Sequence, residues 1–151
     1  MDYRKEYEKW LASPALSEDE RAELRALEGN DKEIKARFYG PLEFGTAGLR
    51  GTMYTGLHNM NRHVIRWATQ GFANVIRAEG TEAMQKGVAV CMDCRNHSAE
   101  FARETACVMA ANGIHVRLFE SLRPTPELSF AVREYGCQAG VNVTACLLYT
   151  S

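Results

Sequence analysis

The 151-residue chain has only 4 prolines and 12 glycines and no repeat period, which excludes collagen-like, mucin-like and low-complexity disordered classes. It has no excess of either charge. Lys+Arg 18 stand against Asp+Glu 19, net −1, so no basic field marks a nucleic-acid binder. No apolar run approaches the ~18 residues that span a bilayer, so no membrane role is expected. The start, Met1-Asp-Tyr-Arg-Lys-Glu-Tyr-Glu-Lys-Trp10, is charged from its second residue and does not read as a signal peptide. Five cysteines, an odd number without an export signal, point to reduced thiols and a cytoplasmic protein. What is present is an ordinary globular composition, 46% hydrophobic and 25% charged. At this length a chain buries roughly 70% of its unfolded surface in one core.

The first forty residues are highly charged and carry few large apolar side chains. Three short helices are expected: Tyr3–Ala12, stopped by Ser13-Pro14; Glu18–Glu28, with Ser17 and Glu20 as a capping box and Gly29 after its end; and Lys32–Tyr39, capped by Asp31. They read as an extension over residues 1–40 without a core of its own. From Leu42 the pattern changes. Phe44-Gly-Thr-Ala-Gly-Leu-Arg-Gly51 holds three glycines in eight residues. Asn61 can cap a helix over Arg62–Ala78, whose Val64, Ile65, Ala68, Phe72, Val75 and Ile76 form an apolar face. Then apolar strands alternate with helices: strand 87–92, a helix from Ser98 to Asn112, strand 114–119, a helix from Pro126 to Tyr135, and strand 140–144. This order predicts an α/β fold, a three-layer α/β/α domain with a mainly parallel sheet and right-handed crossovers.

Ligands of open parallel sheets bind beyond the carboxyl ends of the strands. The loops there are 93–98, 120–126 and whatever follows Thr144. In the glycine-rich segment, backbone N–H groups can approach an anion and Arg50 can offer a bidentate fork to phosphate. On spacing alone it reads first as a strand bend with a solvated arginine, being neither a Walker A loop nor a dinucleotide fingerprint. Asp93 and Arg95 read as an ion pair steadying a loop, with Ser98 capping the next helix. Cys91-Met-Asp-Cys94 has the spacing of a dithiol or half a zinc site. However, Cys91 falls inside a strand, and Cys107, Cys137 and Cys146 make no second close pair.

Taken in order, these motifs resemble the α-D-phosphohexomutases, the family of phosphoglucomutase and phosphomannomutase. Phe44–Gly51 is similar to the family's opening motif, and Met60-Asn61 to the end of the short motif after it. Asp93-x-Arg95-x-x-Ser98 resembles its Asp-x-Arg-x-x-Ser loop. Arg123-Pro-Thr-Pro-Glu-Leu-Ser-Phe-Ala-Val-Arg133 resembles the stretch before the catalytic strand. Val143-Thr144-Ala145 matches the start of the Thr-Ala-Ser-His-Asn-Pro loop. The charged helical start looks most like the bacterial phosphoglucomutase branch.

The resemblance implies reversible phosphoryl transfer between the 1- and 6-positions of a hexose, glucose first. The transfer runs through a phosphoserine and glucose 1,6-bisphosphate, with Mg²⁺ held by aspartates from a part of the family this chain does not contain. It implies a small hexose phosphate as partner and no nucleic acid. Arg50 would stand at the phosphoserine, Gly48, Gly51, Asp93 and Arg95 would support the phosphate loops, and Thr144 would open the serine loop. The match then stops. Cys146 occupies the serine position, and Leu147-Leu-Tyr-Thr-Ser151 shares nothing with the motif. The expectation is a partial first domain over 41–145 with a non-matching tail, 146–151, from a truncated reading frame, and no turnover by the chain alone. Two rivals remain open, a non-enzymatic phosphate- or sugar-phosphate-binding module and a thiol or metal protein built on Cys91 and Cys94. Arg50, Asp93 and Thr144 are expected to converge at one sheet edge.

Overall fold

The computed structural model describes residues 2–45 and 48–144. The chain divides into two compact units, Met1–Val64 and Ile65–Ser151.

The first unit begins with α1 (Tyr3–Leu11), α2 (Glu18–Arg25) and α3 (Asp31–Phe38). The capping box forms as its spacing predicts. Ser17 Oγ accepts from the Glu20 N–H at 3.3 Å, and Glu20 Oε2 accepts from the Ser17 N–H at 2.7 Å. Helix α2 closes at Arg25 rather than Glu28, because Leu27 and Glu28 turn back onto the carbonyls of Leu24 and Arg25 in tighter 3₁₀-type bonds. Asn30, not Asp31, caps α3, accepting from the Glu33 N–H at 3.2 Å.

These helices do have a core. Leu24 and Phe38 are fully buried and pack with Leu16, Leu27, Ile34 and Leu57. Tyr7 and Trp10 set their ring edges on Phe38, each at 5.7 Å between centroids. The large apolar residues are few, but each lies three or four positions from the next, so one narrow stripe per helix is enough to bury them. A polar clasp closes the unit. Glu23 binds the Arg37 guanidinium and both the N–H and the hydroxyl of Thr55, while Arg37 Nε reaches Glu33 at 2.9 Å.

In the second unit lie most of α4 (Arg62–Ala78), then α5 (Thr81–Lys86), β3 (Val88–Met92), α6 (Ser98–Ala111), β4 (Val116–Leu118), α7 (Thr125–Glu134) and β5 (Ala139–Val143). Asn61 caps α4, its Oδ1 accepting from the N–H groups of His63 and Val64 at 3.1 and 3.0 Å. The buried stripe of α4 runs through Ile65, Thr69, Ala73 and Ile76. Val75 is 56% exposed instead, lying about 100° round the helix from Ile76. Helix α5 was not anticipated, since the chain between Gly80 and Gly87 is too short to show a period.

The three strands form one parallel sheet in the order β4-β3-β5, with Val88 opposite both Val116 and Ala139. The α/β/α arrangement expected from the alternation is therefore present. Strand β3 is central, and Val88 through Cys91 are fully buried. The chain crosses from β3 to β4 on one side and returns past β3 to β5 on the other. With right-handed crossovers, that reversal puts α6 and α7 on opposite faces. Strand β4 is shorter than 114–119 because only Val116–Leu118 pair with β3.

Candidate active-site edge and phosphate loop

The carboxyl end of β3 runs into Asp93, which is half-buried. The Asp93 N–H reaches the Val143 carbonyl of β5 at 3.4 Å, and the Arg123 N–H reaches the Met92 carbonyl at 3.2 Å. The loops after all three strands thus meet at one edge. The Asp93 carboxylate accepts from Ser98 Oγ at 2.7 Å and from the Arg95 N–H at 3.1 Å, pairs with Arg95 Nε at 3.3 Å, and takes a hydrogen bond from the Thr144 side chain. Burial alone would raise its pKa, but the bonds from Thr144, Ser98 and Arg95 outweigh it and hold the carboxyl below its ordinary range.

Ser98 differs from expectation. It is fully buried at the first position of α6, and His97 takes the cap position with no side-chain bond to the helix backbone. The serine hydroxyl is committed to Asp93 instead. Among the described residues His97 is the one non-glycine with a positive φ, 64°. A left-handed backbone disfavours such a residue by about 1–2 kcal/mol, and here His97 is held by Glu100 at 2.9 Å and by stacking on Phe101. Sequence reasoning also missed Asn142, which donates to Thr125 Oγ1 at 2.6 Å and accepts from the Cys91 thiol at 3.2 Å. The available signal was an amide between two valines of an apolar strand.

In the first unit the glycine-rich segment is a small antiparallel hairpin, β1 (Phe44–Gly45) with β2 (Gly48–Leu49), Phe44 facing Leu49 and Gly45 facing Gly48. Gly48 has φ +100°, a conformation that side chains rarely adopt, and a Cβ on Gly51 would stand 3.1 Å from Leu42 Cδ1. Arg50 follows this hairpin exposed, and among the described residues it has no ion-pair or hydrogen-bond partner. It lines a cavity of ≈ 360 Å³. Cys146 lies outside the described residues, as do Ala145 and the rest of the tail.

The cysteine pair has no shared geometry. Cys94 is exposed in the loop, whereas Cys91 is buried with Ala89, Leu128 and Cys137. Burial pushes the Cys91 thiol pKa up, and the nearby Asp93 charge adds to the rise, which is the reverse of an activated thiol. Among the described residues no group of three His, Cys, Asp or Glu side chains could hold a metal ion. The described residues therefore supply no such ligand cluster for Mg²⁺. No helix among them is long and apolar enough to cross a membrane.

A parallel α/β/α sheet with an Asp-x-Arg-x-x-Ser loop at its carboxyl edge, in a chain that also carries a glycine-rich arginine hairpin, defines a phospho-sugar mutase first domain. Residues 41–146 match the family described as phosphoglucomutase/phosphomannomutase, alpha/beta/alpha domain I, and the chain belongs to that family. It is 38% identical to a human phosphopentomutase over 124 residues, 78% of this chain and 20% of the relative. It is 37% identical to a phosphoglucomutase of Staphylococcus saprophyticus over 115 residues, 76% of this chain and 20% of the relative. To a phosphomannomutase of Mycoplasma pneumoniae it is 32% identical over 142 residues, covering 93% of this chain and 26% of the relative. The chain spans about a fifth to a quarter of the length of these relatives. No solved structure matches it.

Proposed function

We propose that this chain is the phosphate-handling first domain of an enzyme that moves a phosphoryl group between the 1- and 6-positions of a hexose, glucose foremost. In this reading a phosphoserine donates to the sugar hydroxyl, glucose 1,6-bisphosphate forms, and the other phosphate returns to serine. The observation that carries the reading is Asp93, whose carboxylate ties the loop after β3 to Thr144 at the end of β5. A domain that transfers phosphate must hold its acceptor loop in one geometry, and the acceptor position falls two residues beyond Thr144, at Cys146. Asp93 and Arg95 then serve as positioning residues, with Thr144 as the first residue of the acceptor loop. Arg50, on the hairpin shaped by Gly48 and Gly51, supplies the bidentate donor for phosphate charge. Mg²⁺ in the whole enzyme would come from residues other than those described here, and the acting protein is cytoplasmic.

A pentose 1-phosphate is the second reading, favoured by the 38% identity to a phosphopentomutase. The test is conversion of glucose 1-phosphate and of ribose 1-phosphate with Mg²⁺ and a bisphosphate primer. The 151-residue chain is expected to give no turnover, because Cys146 stands where the family resemblance puts serine. The same domain reading Ser-His-Asn-Pro after Ala145, joined to the remaining length that the relatives have, is expected to turn over glucose 1-phosphate. It should lose at least 10²-fold on Arg50→Ala. Turnover by the 151-residue chain that tracks its concentration and vanishes on Arg50→Ala would overturn the assignment of the acceptor position. Full activity of the long chain with Arg50→Ala would remove Arg50 from the site.

A further inference from the structure

Strand β5 turns polar along one face as it approaches its carboxyl end. Beneath α7, β3 and β5 pair Ala89 with Gly140 and then Cys91 with Asn142. The first pair is dry, and a Cβ on Gly140 would already press on Val132 and Leu128 of α7. Asparagine is a poor strand residue, and an apolar side chain would suit a place beside buried Cys91. What the amide gains is two partners. Its Oδ1 accepts from the Cys91 thiol at 3.2 Å, and its Nδ2 donates to Thr125 Oγ1, at the first position of α7, at 2.6 Å. Two residues further along each strand, Thr144 donates to Asp93. Side chains two apart on a strand share a face, so these bonded pairs are successive rungs across β3 and β5.

We propose that Asn142 is a positioning residue for the acceptor loop: bridging Cys91 and Thr125, it fixes where β5 leaves the sheet and so keeps Thr144 on Asp93. This rests on the phosphoryl-transfer reading, which puts the acceptor two residues after Thr144. Asn142 stands outside the motif that starts at Val143, and no step of the transfer uses its chemistry. Its contribution is direction. Among the described residues β5 is an edge strand, its backbone paired to β3 on one side only. An edge strand held by one ladder splays at its end unless side chains tie it down. Through Thr125 the last residues of β5 move with α7, and α7 is itself set against β3 where Leu128 packs with Ala89 and Cys91.

The experiment follows the Asp93 carboxyl of the 151-residue chain by carbon-detected NMR through an acid titration. Asn142→Val, which suits a strand, should keep the urea midpoint of unfolding and yet raise the Asp93 midpoint toward its ordinary 3.8, most of the way to the value in Thr144→Val. Amide exchange at Thr144 should quicken about tenfold. Thr125→Val, at an exposed position, should act alike, and Thr125→Ser, which keeps the hydroxyl, should behave as the unsubstituted chain. In the serine-bearing enzyme of the relatives' full length, Asn142→Val should lower kcat about tenfold at unchanged KM. An unmoved Asp93 midpoint in both valine variants, a rise that Thr125→Ser shares, exchange that quickens equally through β3, or full kcat with Asn142→Val would each overturn the proposal. An unsubstituted long enzyme inactive on both glucose and ribose 1-phosphates would instead overturn the transfer reading, and the acceptor role with it. The Asp93 midpoints of the 151-residue chain then still decide whether Asn142 holds Thr144.

Discussion

The two units of this chain are held by different kinds of contact. In the second, the central strand is dry. Val88, Ala89, Val90 and Cys91 are wholly buried, and the backbone ladder to β4 and β5 satisfies their amides. In the first, apolar side chains line a narrow cluster around Phe38, and much of the remaining order comes from carboxylates shared among several donors. Glu23 serves Arg37 and Thr55; Glu20 serves Ser17, Arg62 and His63. The second unit is thus ordered by burial that tolerates few shape changes, and the first by polar groups that tolerate few charge changes.

The sharpest way to break this contrast is Gly87→Ala. A Cβ there would sit 2.1 Å from the His115 carbonyl oxygen, at φ +70°, and that oxygen already accepts from the Val88 N–H at 2.8 Å. Backbone would have to move, so a loss of about 4–5 kcal/mol is expected, read by chemical denaturation. A loss under about 1 kcal/mol would mean that the β3 entry is soft. Next in size is Phe38→Ala, expected to cost about 3–5 kcal/mol through lost burial and a cavity. Amide exchange should then rise most among residues of α1, α2 and α3. If protection falls equally in β3, the two units are not separate in their energetics.

The smallest effect concerns acid. Glu20 and Asp93, one in each unit, both sit below their ordinary values of 4.5 and 3.8. In each, burial pulls upward and is outweighed: at Glu20 by bonds from the Ser17 N–H, His63 and Arg62, at Asp93 by Thr144, Ser98 and Arg95. A lowered carboxyl stabilises fully above its unfolded value and loses that contribution as pH falls through the folded one. Stability should therefore decline below about pH 4. Asp93→Asn should flatten that decline for the β3–α6 loop while leaving the α2 region acid-sensitive. Ser98→Ala should cost about 1–3 kcal/mol at neutral pH by leaving Asp93 one donor short. An acid profile unchanged by Asp93→Asn would dissociate the carboxylate from the stability of its loop.

The same contrast explains what could be read from the residues alone. Strand β3 announces itself because Val88-Ala-Val-Cys-Met92 is apolar on both faces, and the capping residues Ser17, Glu20 and Asn61 act within a few positions of their partners. Local chemistry of that kind is legible. The Phe38 cluster was not, because its stripe is one residue per turn and gains meaning only when three helices share it. Nor was the role of Ser98. A serine at the start of a helix reads as a cap, and only the fold brings Asp93 within 2.7 Å of its hydroxyl.

The order β4-β3-β5 also has a consequence for the timing of folding. Within this sheet the strand that leaves the ribosome first, β3, is the one that needs a neighbour on both sides, and its second neighbour arrives last. Cys91 and the Asn142 that receives its thiol are separated by 51 residues. Until β5 is synthesised, one full edge of β3 has no backbone partner, and its row of apolar side chains lies on an incomplete platform. During that interval a newly made chain presents the surface that holding chaperones recognise. Slower translation between β4 and β5 should lengthen the exposure without altering one native contact.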